Sequence, residues 1–221
     1  MAGNLKITLL SSSARRREII GQTFDGVWID NSRADEPRPE PLEAARDYVV
    51  RSAVAKLGSP PWNRSEGFLV SADTVVVLNG DILGKPGSKD EARSMLERLD
   101  DTWHEVITGV AVLDTFTGTL VTDAESSLVR TRSFTDREIN DYVSGVEPYD
   151  KAGGYAVQDD KFKPVLKTEG CYLNIVGLPL CLVCMLMRRL GAAVELRDLS
   201  GIPYYGRCAD CKLANIVEGL S

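Results

Sequence analysis

Runs of apolar residues predict where the strands and helices of this chain lie. The runs at residues 5–10 ("LKITLL"), 27–30 ("VWID") and 68–78 ("FLVSADTVVVL") are short and rich in aliphatic, partly β-branched side chains, which is typical of strands. Apolar positions at helical spacing predict one helix over 14–22 and another over Leu42–Leu57. Strands and helices therefore alternate through the first third of the chain.

Turn and capping residues predict the elements that follow. The turn "NGD" after residue 78 predicts a hairpin, and Ser88 with Glu91 forms an S-x-x-E capping box that opens a helix to about Leu99. The other predicted elements are strands over 104–115 and 118–131, a helix over 136–144 opened by Thr135 and Glu138, a strand near 171–177, and a helix from Pro179 to about Leu190. Alternating elements followed by hairpins predict an α/β fold with a mixed sheet.

Composition sets the broad class of the protein. The chain has 221 residues, 43% of them hydrophobic, so we expect one domain or two-lobed unit over 1–191, followed by an extension over 192–221. A net charge of −6 excludes a general nucleic-acid coat, which needs a broad basic face. No apolar run reaches the ~20 residues of a membrane span, and the first residues do not predict a signal peptide. With five cysteines, we expect a cytoplasmic protein in a reducing compartment.

The stretch "SSSARRREI", which begins at Ser11, places three arginines in the first turn of a predicted helix. Cations there oppose the helix macrodipole by ~0.3–1 kcal/mol each, and a bound anion would reverse that effect. Backbone N–H groups, the hydroxyls of Ser11 and Ser13, and the guanidinium groups of Arg15 and Arg16 would together form a phosphate site, with Arg17 pointing elsewhere. The alternative is a solvated basic turn with Ser13 as N-cap.

Three further charged residues stand in apolar or rigid surroundings. Asp73 lies between alternating apolar residues, as either a capping or turn group, or a metal ligand or general base. Lys85, between glycine and proline in "GKP", is either a phosphate contact or a surface lysine, and the Walker pattern is absent from the sequence. Lys56, near the end of an apolar helix face, either reaches a phosphate or extends to water.

The loop "DKAGGYAVQ" combines two glycines, which let a ligand approach the backbone, with the polar side chains of Asp150, Lys151 and Gln158. Its alternative interpretation is a tight turn before a strand. Glu36 offers a carboxylate to a divalent cation from a charged loop that is otherwise typical of solvated segments. His104 is the only histidine, which excludes sites built from several histidines, and we expect a structural role for it.

Two C-x-x-C pairs, Cys181/Cys184 and Cys208/Cys211, have a spacing similar to that of a zinc ribbon. The first pair lies in the apolar sequence "PLCLVCMLM", where we expect the cysteines to pack as small core residues. The second pair lies in the C-terminal extension and is the better candidate for a local disulfide or metal contact. A zinc ion shared by both pairs is therefore not favoured.

The order of these motifs resembles the Maf family of nucleoside triphosphate pyrophosphatases. The matching motifs span about residues 5–190 and are "LLSSSARRREI", "YVVRSAVAK", "SADTVVVLNGDILGKP", "HEVITGVAV", "DREINDYV", "PYDKAGGYAVQ" and "YLNIVGLPL". The resemblance implies a two-lobed α/β fold, similar to inosine-triphosphatase-like enzymes, with the active site in the cleft between the lobes. It also implies hydrolysis between the α and β phosphates, a divalent metal (usually Mg²⁺, with Mn²⁺ or Co²⁺ possible) and a homodimer.

By this resemblance, the family's functional positions fall on eight residues of this sequence: Ser11, Arg15, Arg16, Glu36, Lys56, Asp73, Lys85 and Gln158. The arginines and lysines are expected to hold the triphosphate and to stabilise charge on the leaving pyrophosphate. Ser11 is expected to anchor a phosphate oxygen, and Gln158 to read the base or position the triphosphate. Asp73 is either the general base or a metal ligand, and Glu36 is expected to help hold the metal.

The forms "ADTV", "GKP" and "DKAGGYAVQ" resemble the branch of the family that acts on dTTP and UTP, and not the branch that acts on 7-methyl-GTP. Two other functions stay open: a pyrophosphatase for other or modified nucleotides, and a non-catalytic nucleotide-sensing regulator of cell division that uses the same pocket. Ala14 stands where the family commonly has a proline, and the glycines often found after Gln158 are missing. Neither departure removes a predicted site residue.

Overall fold

The computed structural model describes residues 6–32, 34–59 and 67–194. Along the chain it contains β1 (Ile7–Leu10), α1 (Ala14–Thr23), β2 (Val27–Asp30), α2 (Ala45–Ala55), β3 (Phe68–Leu78), β4 (Asp81–Leu83), α3 (Lys89–Leu99), β5 (Trp103–Asp114), β6 (Leu120–Thr131), α4 (Asp136–Val143), β7 (Val165–Glu169), α5 (Tyr172–Val176) and α6 (Leu180–Arg189). Two short 3-10 turns, Glu147–Asp150 and Ala152–Gly154, lie between α4 and β7.

The strands form one seven-stranded mixed sheet. Its order is β2-β1-β3-β5-β6-β7, and β4 also pairs with β3. β1 is parallel to both β2 and β3, whereas every other pairing is antiparallel. The predicted α/β fold with a mixed sheet and flanking helices is confirmed.

One edge of β3 is interrupted. β1 pairs with residues 68–70 of β3 and β4 pairs with residues 76–78, while β5 occupies the opposite edge along almost the whole strand. Among the residues described, no strand covers positions 71–75 at the interrupted edge. The carbonyl of Ala72 in this gap instead accepts hydrogen bonds from the side chains of Arg16 and Lys56, so the gap lies at the candidate site.

The period of two along β3 sends neighbouring side chains to opposite faces of the sheet. On one face, Ser71 donates a 2.6 Å hydrogen bond to the carbonyl of Ala53 on α2. Asp73 follows on that same face, whereas Thr74 points to the other face. α2 lies directly on β5 because Gly109 has no side chain: a Cβ there would be 2.5 Å from the backbone carbonyl of Val49.

Local capping residues indicated correctly where α3 and α4 begin. Thr135 and Glu138 form the complete predicted capping box of α4. At α3, Ser88 accepts a hydrogen bond from the amide of Glu91, but the Glu91 carboxylate accepts from the amide of Gly87 instead of that of Ser88. The predicted box is therefore only half formed.

Two predicted helix starts and one predicted element type are wrong. α2 begins at Ala45 and not at residue 42, since Leu42 has a φ of 65° that a right-handed helix does not allow. The strand predicted near 171–177 is the helix α5, which ends at Gly177 in the left-handed conformation. Pro179 is the N-cap of α6 and not its first helical residue. The exposed strand β7 was not predicted.

Candidate active site

A cavity of about 440 Å³ lies at the interrupted edge of β3. Its lining comes from the end of β1, the first turn of α1, the middle of β3, the loop before β7 and the end of α5. All eight residues selected from the sequence line this cavity: Ser11, Arg15, Arg16, Glu36, Lys56, Asp73, Lys85 and Gln158. The fold thus brings together residues that are up to 147 positions apart in the sequence.

The first turn of α1 is held by local hydrogen bonds. Ser13 is the N-cap, and its Oγ accepts a hydrogen bond from the amide of Arg16. The buried Ser11 Oγ accepts from the amide of Ser13 at 3.2 Å. Arg17 turns away from the cavity and donates to the carbonyl of Ser11 at 2.8 Å and to Asn31. Ser13 is thus the N-cap named in the alternative interpretation, and the turn that it caps lines the cavity. Arg17 points away from the cavity, as expected.

Arg16 is largely committed to protein groups. Its Nε donates to the carbonyl of Gly177 at 2.7 Å, and its two Nη atoms donate to the carbonyl of Ala72 at 2.9 Å and to Thr74 Oγ1 at 2.8 Å. Burial lowers the pKa of Arg16, although nearby Asp73 opposes that shift. Since a guanidinium has five N–H groups, two are left for a ligand. Arg16 therefore ties α1, β3 and α5 together at the cavity wall.

Arg15 and Gln158 differ from Arg16 in this respect. Both line the cavity, and neither side chain forms a hydrogen bond or ion pair with any residue in the described part of the chain. All five N–H groups of Arg15 are therefore available to a bound anion.

Two lysines and two carboxylates form an alternating cluster. Lys56 Nζ lies 2.6 Å from Asp73 Oδ1, 2.9 Å from Glu36 Oε1 and 3.2 Å from the carbonyl of Ala72. Lys85 Nζ lies 3.2 and 3.3 Å from the two carboxylate oxygens of Glu36. Glu36 thus bridges the two ammonium groups, and Lys56 bridges the two carboxylates.

Burial differs sharply within this cluster. The side chains of Lys56 and Asp73 are 5% and 8% exposed, whereas those of Lys85 and Glu36 are 51% and 42% exposed. Partial burial raises the pKa of Glu36, but the two lysines outweigh it and lower that pKa to about 2. Lys56 therefore does not extend to water, and Glu36 is an ionised carboxylate at neutral pH.

The rest of the cavity lining is mainly apolar. It includes Val76, Val106, Tyr155, Ile175 and Val176. The loop "DKAGGYAVQ" adds an ion pair, in which the buried ammonium of Lys151 lies 2.5 Å from Asp150 Oδ1. One of its glycines is required by packing: Gly153 has a φ of 70°, and a Cβ there would meet Val76 at 2.9 Å. The same cavity thus offers charged groups and an apolar wall.

Sequence reasoning did not select Thr74, which lines the cavity and links it to the core. Its hydroxyl accepts from Arg16 and lies 2.9 Å from Thr108 Oγ1, which donates to the carbonyl of Asn174 at 3.0 Å. Asn174 in turn donates to the carbonyl of Val106. The sequence did hold a signal for this network: Thr74 and Thr108 are polar residues within the otherwise apolar strands β3 and β5.

The remaining candidate residues lie in the core or outside the description. Cys181 and Cys184 are buried in α6, and burial raises the pKa of Cys184 to about 12, so the expected packing role is confirmed. Cys208 and Cys211 lie outside the described residues. His104 is buried, with Nε2 2.5 Å from the hydroxyl of Tyr155, and burial lowers its pKa to about 4.

Two negative findings apply to the described residues alone. Within these residues, no group of three or more His, Cys, Asp or Glu side chains is placed to hold a metal ion. None of the helices formed by them is long and apolar enough to cross a membrane.

Comparison with known proteins identifies the family of this chain. The family model described as "Maf-like protein" matches residues 6–190. Proteins named dTTP/UTP pyrophosphatase are similar over most of their length: that of Dehalococcoides mccartyi strain 195 is 39% identical over 87% of this chain and 86% of the relative. The Hahella chejuensis protein is 40% identical over 87% and 96%, and the Thermomicrobium roseum protein is 36% identical over 95% and 94%. On this evidence, the chain belongs to the Maf-like protein family.

Proposed function

We propose that this protein hydrolyses nucleoside triphosphates, with dTTP and UTP preferred, to the nucleoside monophosphate and pyrophosphate. The observation that carries the proposal is the cluster of Lys56, Lys85, Asp73 and Glu36 beside the first turn of α1 in one cavity. A volume of about 440 Å³ lies within the usual range for small-molecule sites. The names of the relatives, dTTP/UTP pyrophosphatases, support the same reaction.

The phosphate groups are proposed to bind between α1 and the two lysines. Arg15 and Lys85 supply cationic donors, while Ser11 and the free amides of the first turn of α1 supply neutral ones. Lys85 is half exposed and pairs with Glu36. Because exposed ion pairs contribute little free energy, Lys85 can leave Glu36 and bind a phosphate at small cost. Cations held in this way stabilise the charge that develops on the leaving pyrophosphate.

Asp73 is proposed to orient and deprotonate the attacking water. Its Oδ1 is bound by Lys56, and Oδ2 accepts no hydrogen bond from the residues described, which leaves that oxygen for a water molecule. Arg16 and Lys56 both donate to the carbonyl of Ala72, directly before Asp73, and so fix the backbone that carries the carboxylate. A positioned base of this kind contributes ~10²–10⁴-fold to a rate.

A divalent cation, with Mg²⁺ the first choice and Mn²⁺ or Co²⁺ as alternatives, is proposed as the cofactor. The residues fit such an ion. Glu36 is the proposed ligand, and the Asp73 carboxylate, which lies 2.6 Å from the same Lys56 ammonium that Glu36 meets at 2.9 Å, is near enough to be a second ligand through Oδ2 in place of its role as base. Mg²⁺ is commonly held by one or two carboxylates together with substrate phosphates. When bound, the ion would supply electrostatic stabilisation of the phosphoryl oxygens.

The apolar part of the cavity is proposed to take the sugar and base, with Gln158 as a polar contact that reads the base or positions the triphosphate. We further propose a cytoplasmic homodimer with a nucleoside triphosphate as its ligand, and with neither nucleic acid nor membrane as a partner. Residues 1–191 would form the catalytic domain. An extension over 192–221 would follow it.

The proposal is tested by incubating the full chain with canonical and modified nucleoside triphosphates and Mg²⁺, and by separating the products. Equal amounts of monophosphate and pyrophosphate, formed fastest from dTTP and UTP, are expected. Orthophosphate with a nucleoside diphosphate would contradict the site of cleavage, and faster turnover of a modified nucleotide would contradict the substrate preference. Tight nucleotide binding without any product would instead identify a non-catalytic sensor.

A further inference from the structure

The segment that carries Glu36 is fastened to α2 by side chains that lie outside the cavity. Residues 34–44 form no helix or strand. Tyr48 donates from its hydroxyl to the carbonyl of Pro37 at 3.1 Å, and Arg51 donates from Nη2 to the carbonyl of Arg38 at 2.9 Å. These two carbonyls belong to the residues that directly follow Glu36. The contacts therefore fix the backbone on its C-terminal side.

Arg51 is itself held rigidly by the same segment. Its Nε and Nη2 donate to the two carboxylate oxygens of Glu43, at 2.7 and 2.6 Å, in a bidentate pair. Glu43 Oε2 also accepts from the amide of Glu40 at 2.9 Å, and its side chain is only 12% exposed. The Arg51 guanidinium lies 5.7 Å from the centre of the Tyr48 ring. We refer to Tyr48, Arg51 and Glu43 as the Arg51 clamp.

One helix carries two residues of the clamp together with Lys56. Tyr48 and Arg51 lie one turn apart on α2, and Lys56 is the C-cap residue of the same helix. α2 is fixed to the sheet by its close approach at Gly109. One rigid element thus sets the position of Lys56 and, through the clamp, the position of its partner Glu36.

We propose that Arg51 is a positioning residue that holds the Glu36 carboxylate in place for the divalent cation and the two lysines. It acts through the carbonyl of Arg38 and through Glu43, and it does not touch the substrate. Glu36 is 42% exposed on an irregular segment, so without the clamp its carboxylate would sample many positions in water. Residues that orient a metal ligand from outside typically change metal affinity ~10–100-fold when they are replaced.

The inference rests on the proposed function, because it assigns Glu36 to the cation. The variant Arg51→Met keeps an unbranched aliphatic stem and removes the three hydrogen bonds that Arg51 donates to Glu43 and to the carbonyl of Arg38. Arg46→Met is the matched control: Arg46 lies on the same helix and pairs with Asp123 on β6 at 2.5 Å, away from the segment of Glu36. Glu36→Gln removes the proposed ligand itself.

Two measurements separate positioning from folding. The first is Mn²⁺ binding, followed by electron paramagnetic resonance, to each full-length protein mixed with an α,β-imido analogue of dUTP. Arg51→Met and Glu36→Gln should both weaken Mn²⁺ binding by about 10-fold or more, whereas Arg46→Met should match the wild type. The second is the Mn²⁺ concentration for half-maximal turnover of dTTP, which should rise in Arg51→Met while kcat at saturating Mn²⁺ changes less than about 3-fold.

Amide hydrogen exchange supplies a readout without metal. Residues 34–43 should exchange about 10-fold faster in Arg51→Met than in Arg46→Met, while β3 and β5 should keep wild-type protection. If Glu36→Gln weakens Mn²⁺ binding and Arg51→Met does not, the positioning role is overturned. If Glu36→Gln leaves Mn²⁺ binding unchanged while the wild type turns over dTTP, the cation assignment in the proposed function fails instead.

Discussion

Replacing Lys56 by methionine should destabilise the protein, because the buried Asp73 carboxylate loses its ion-pair partner. The Lys56 and Asp73 side chains are 5% and 8% exposed, and their ion pair is 2.6 Å long. Methionine fills a similar unbranched volume, so the main change is electrostatic. The variant therefore measures how much an unpaired buried carboxylate lowers the free energy of unfolding.

The expected loss can be estimated from the contacts. Breaking a buried ion pair by removing one partner typically costs ~3–5 kcal/mol. Arg16 is close enough to interact with Asp73, so we expect the lower end, about 3 kcal/mol. Asp73→Asn should cost less, because Lys56 keeps Glu36 at 2.9 Å and the carbonyl of Ala72 at 3.2 Å. For a domain of this size, 3 kcal/mol corresponds to a fall in Tm of roughly 6–12 °C.

Urea unfolding followed by tryptophan fluorescence measures this free energy. The double variant Lys56→Met/Asp73→Asn should recover at least about 1 kcal/mol relative to Lys56→Met alone, since the unpaired carboxylate is gone. Arg46→Met is the control, because its pair with Asp123 is half exposed and such pairs contribute ~0–1 kcal/mol. A Lys56→Met protein as stable as Arg46→Met, or a double variant less stable than Lys56→Met, would refute this reasoning.

Three further predictions follow from the structure. Gly109→Ala would place a Cβ 2.5 Å from the Val49 carbonyl, so urea unfolding should show a loss of about 2 kcal/mol, and wild-type stability would contradict the close packing of α2. Burial lowers the pKa of His104 from 6.5 to about 4. Its contribution to the free energy of unfolding is therefore complete above pH 6.5 and is lost as the pH falls towards 4. Between pH 7 and 4.5 the wild type should lose about 2–3 kcal/mol more than His104→Gln, and equal losses would argue against a neutral buried imidazole. Arg15→Ala should lower kcat/KM for dTTP by about 10–100-fold without loss of stability, whereas Arg17→Ala, whose side chain lies outside the cavity, should leave kcat/KM close to the wild-type value. Equal losses of kcat/KM in the two variants would contradict the assignment.

The parts of the fold that depend on neighbouring residues could be predicted from the sequence. The N-cap at Ser13 and the capping box of Thr135 and Glu138 each close within three residues, so the residue types alone were enough. The long strands β3 and β5 were likewise evident from their apolar runs. Helix caps and long buried strands could be predicted because they depend on residues that are close together in the sequence.

The short helix α5 shows why the rest could not be predicted. Its five residues contain aliphatic side chains that are equally suited to a strand. The helical form is selected by the left-handed Gly177 and by the buried Asn174, whose side chain donates to the carbonyl of Val106 and to Ser127. Those partners are 47 to 68 positions away, and no local pattern reveals them.

In the candidate site, too, the sequence predicted local features but not the contacts between distant residues. Alternation along β3 indicates that Asp73 and Thr74 face opposite ways, but only the packed fold shows that Asp73 meets Lys56 while Thr74 meets Arg16. The sequence grouped Arg15 and Arg16 as equivalent phosphate ligands. Their difference arises from Gly177 and Ala72, which the fold brings to Arg16 alone.

The central claim is that the Asp73 carboxylate is required for the hydrolysis that releases pyrophosphate from a nucleoside triphosphate in this cavity. The most direct test is the initial rate of pyrophosphate release from dTTP with Mg²⁺, compared between the wild type, Asp73→Asn and Asp123→Asn. Asp123 pairs with Arg46 and does not line the cavity, so its variant controls for the loss of a carboxylate. We predict at least a ~100-fold lower rate for Asp73→Asn and a wild-type rate for Asp123→Asn. A folded Asp73→Asn protein that releases pyrophosphate at the wild-type rate would contradict the account.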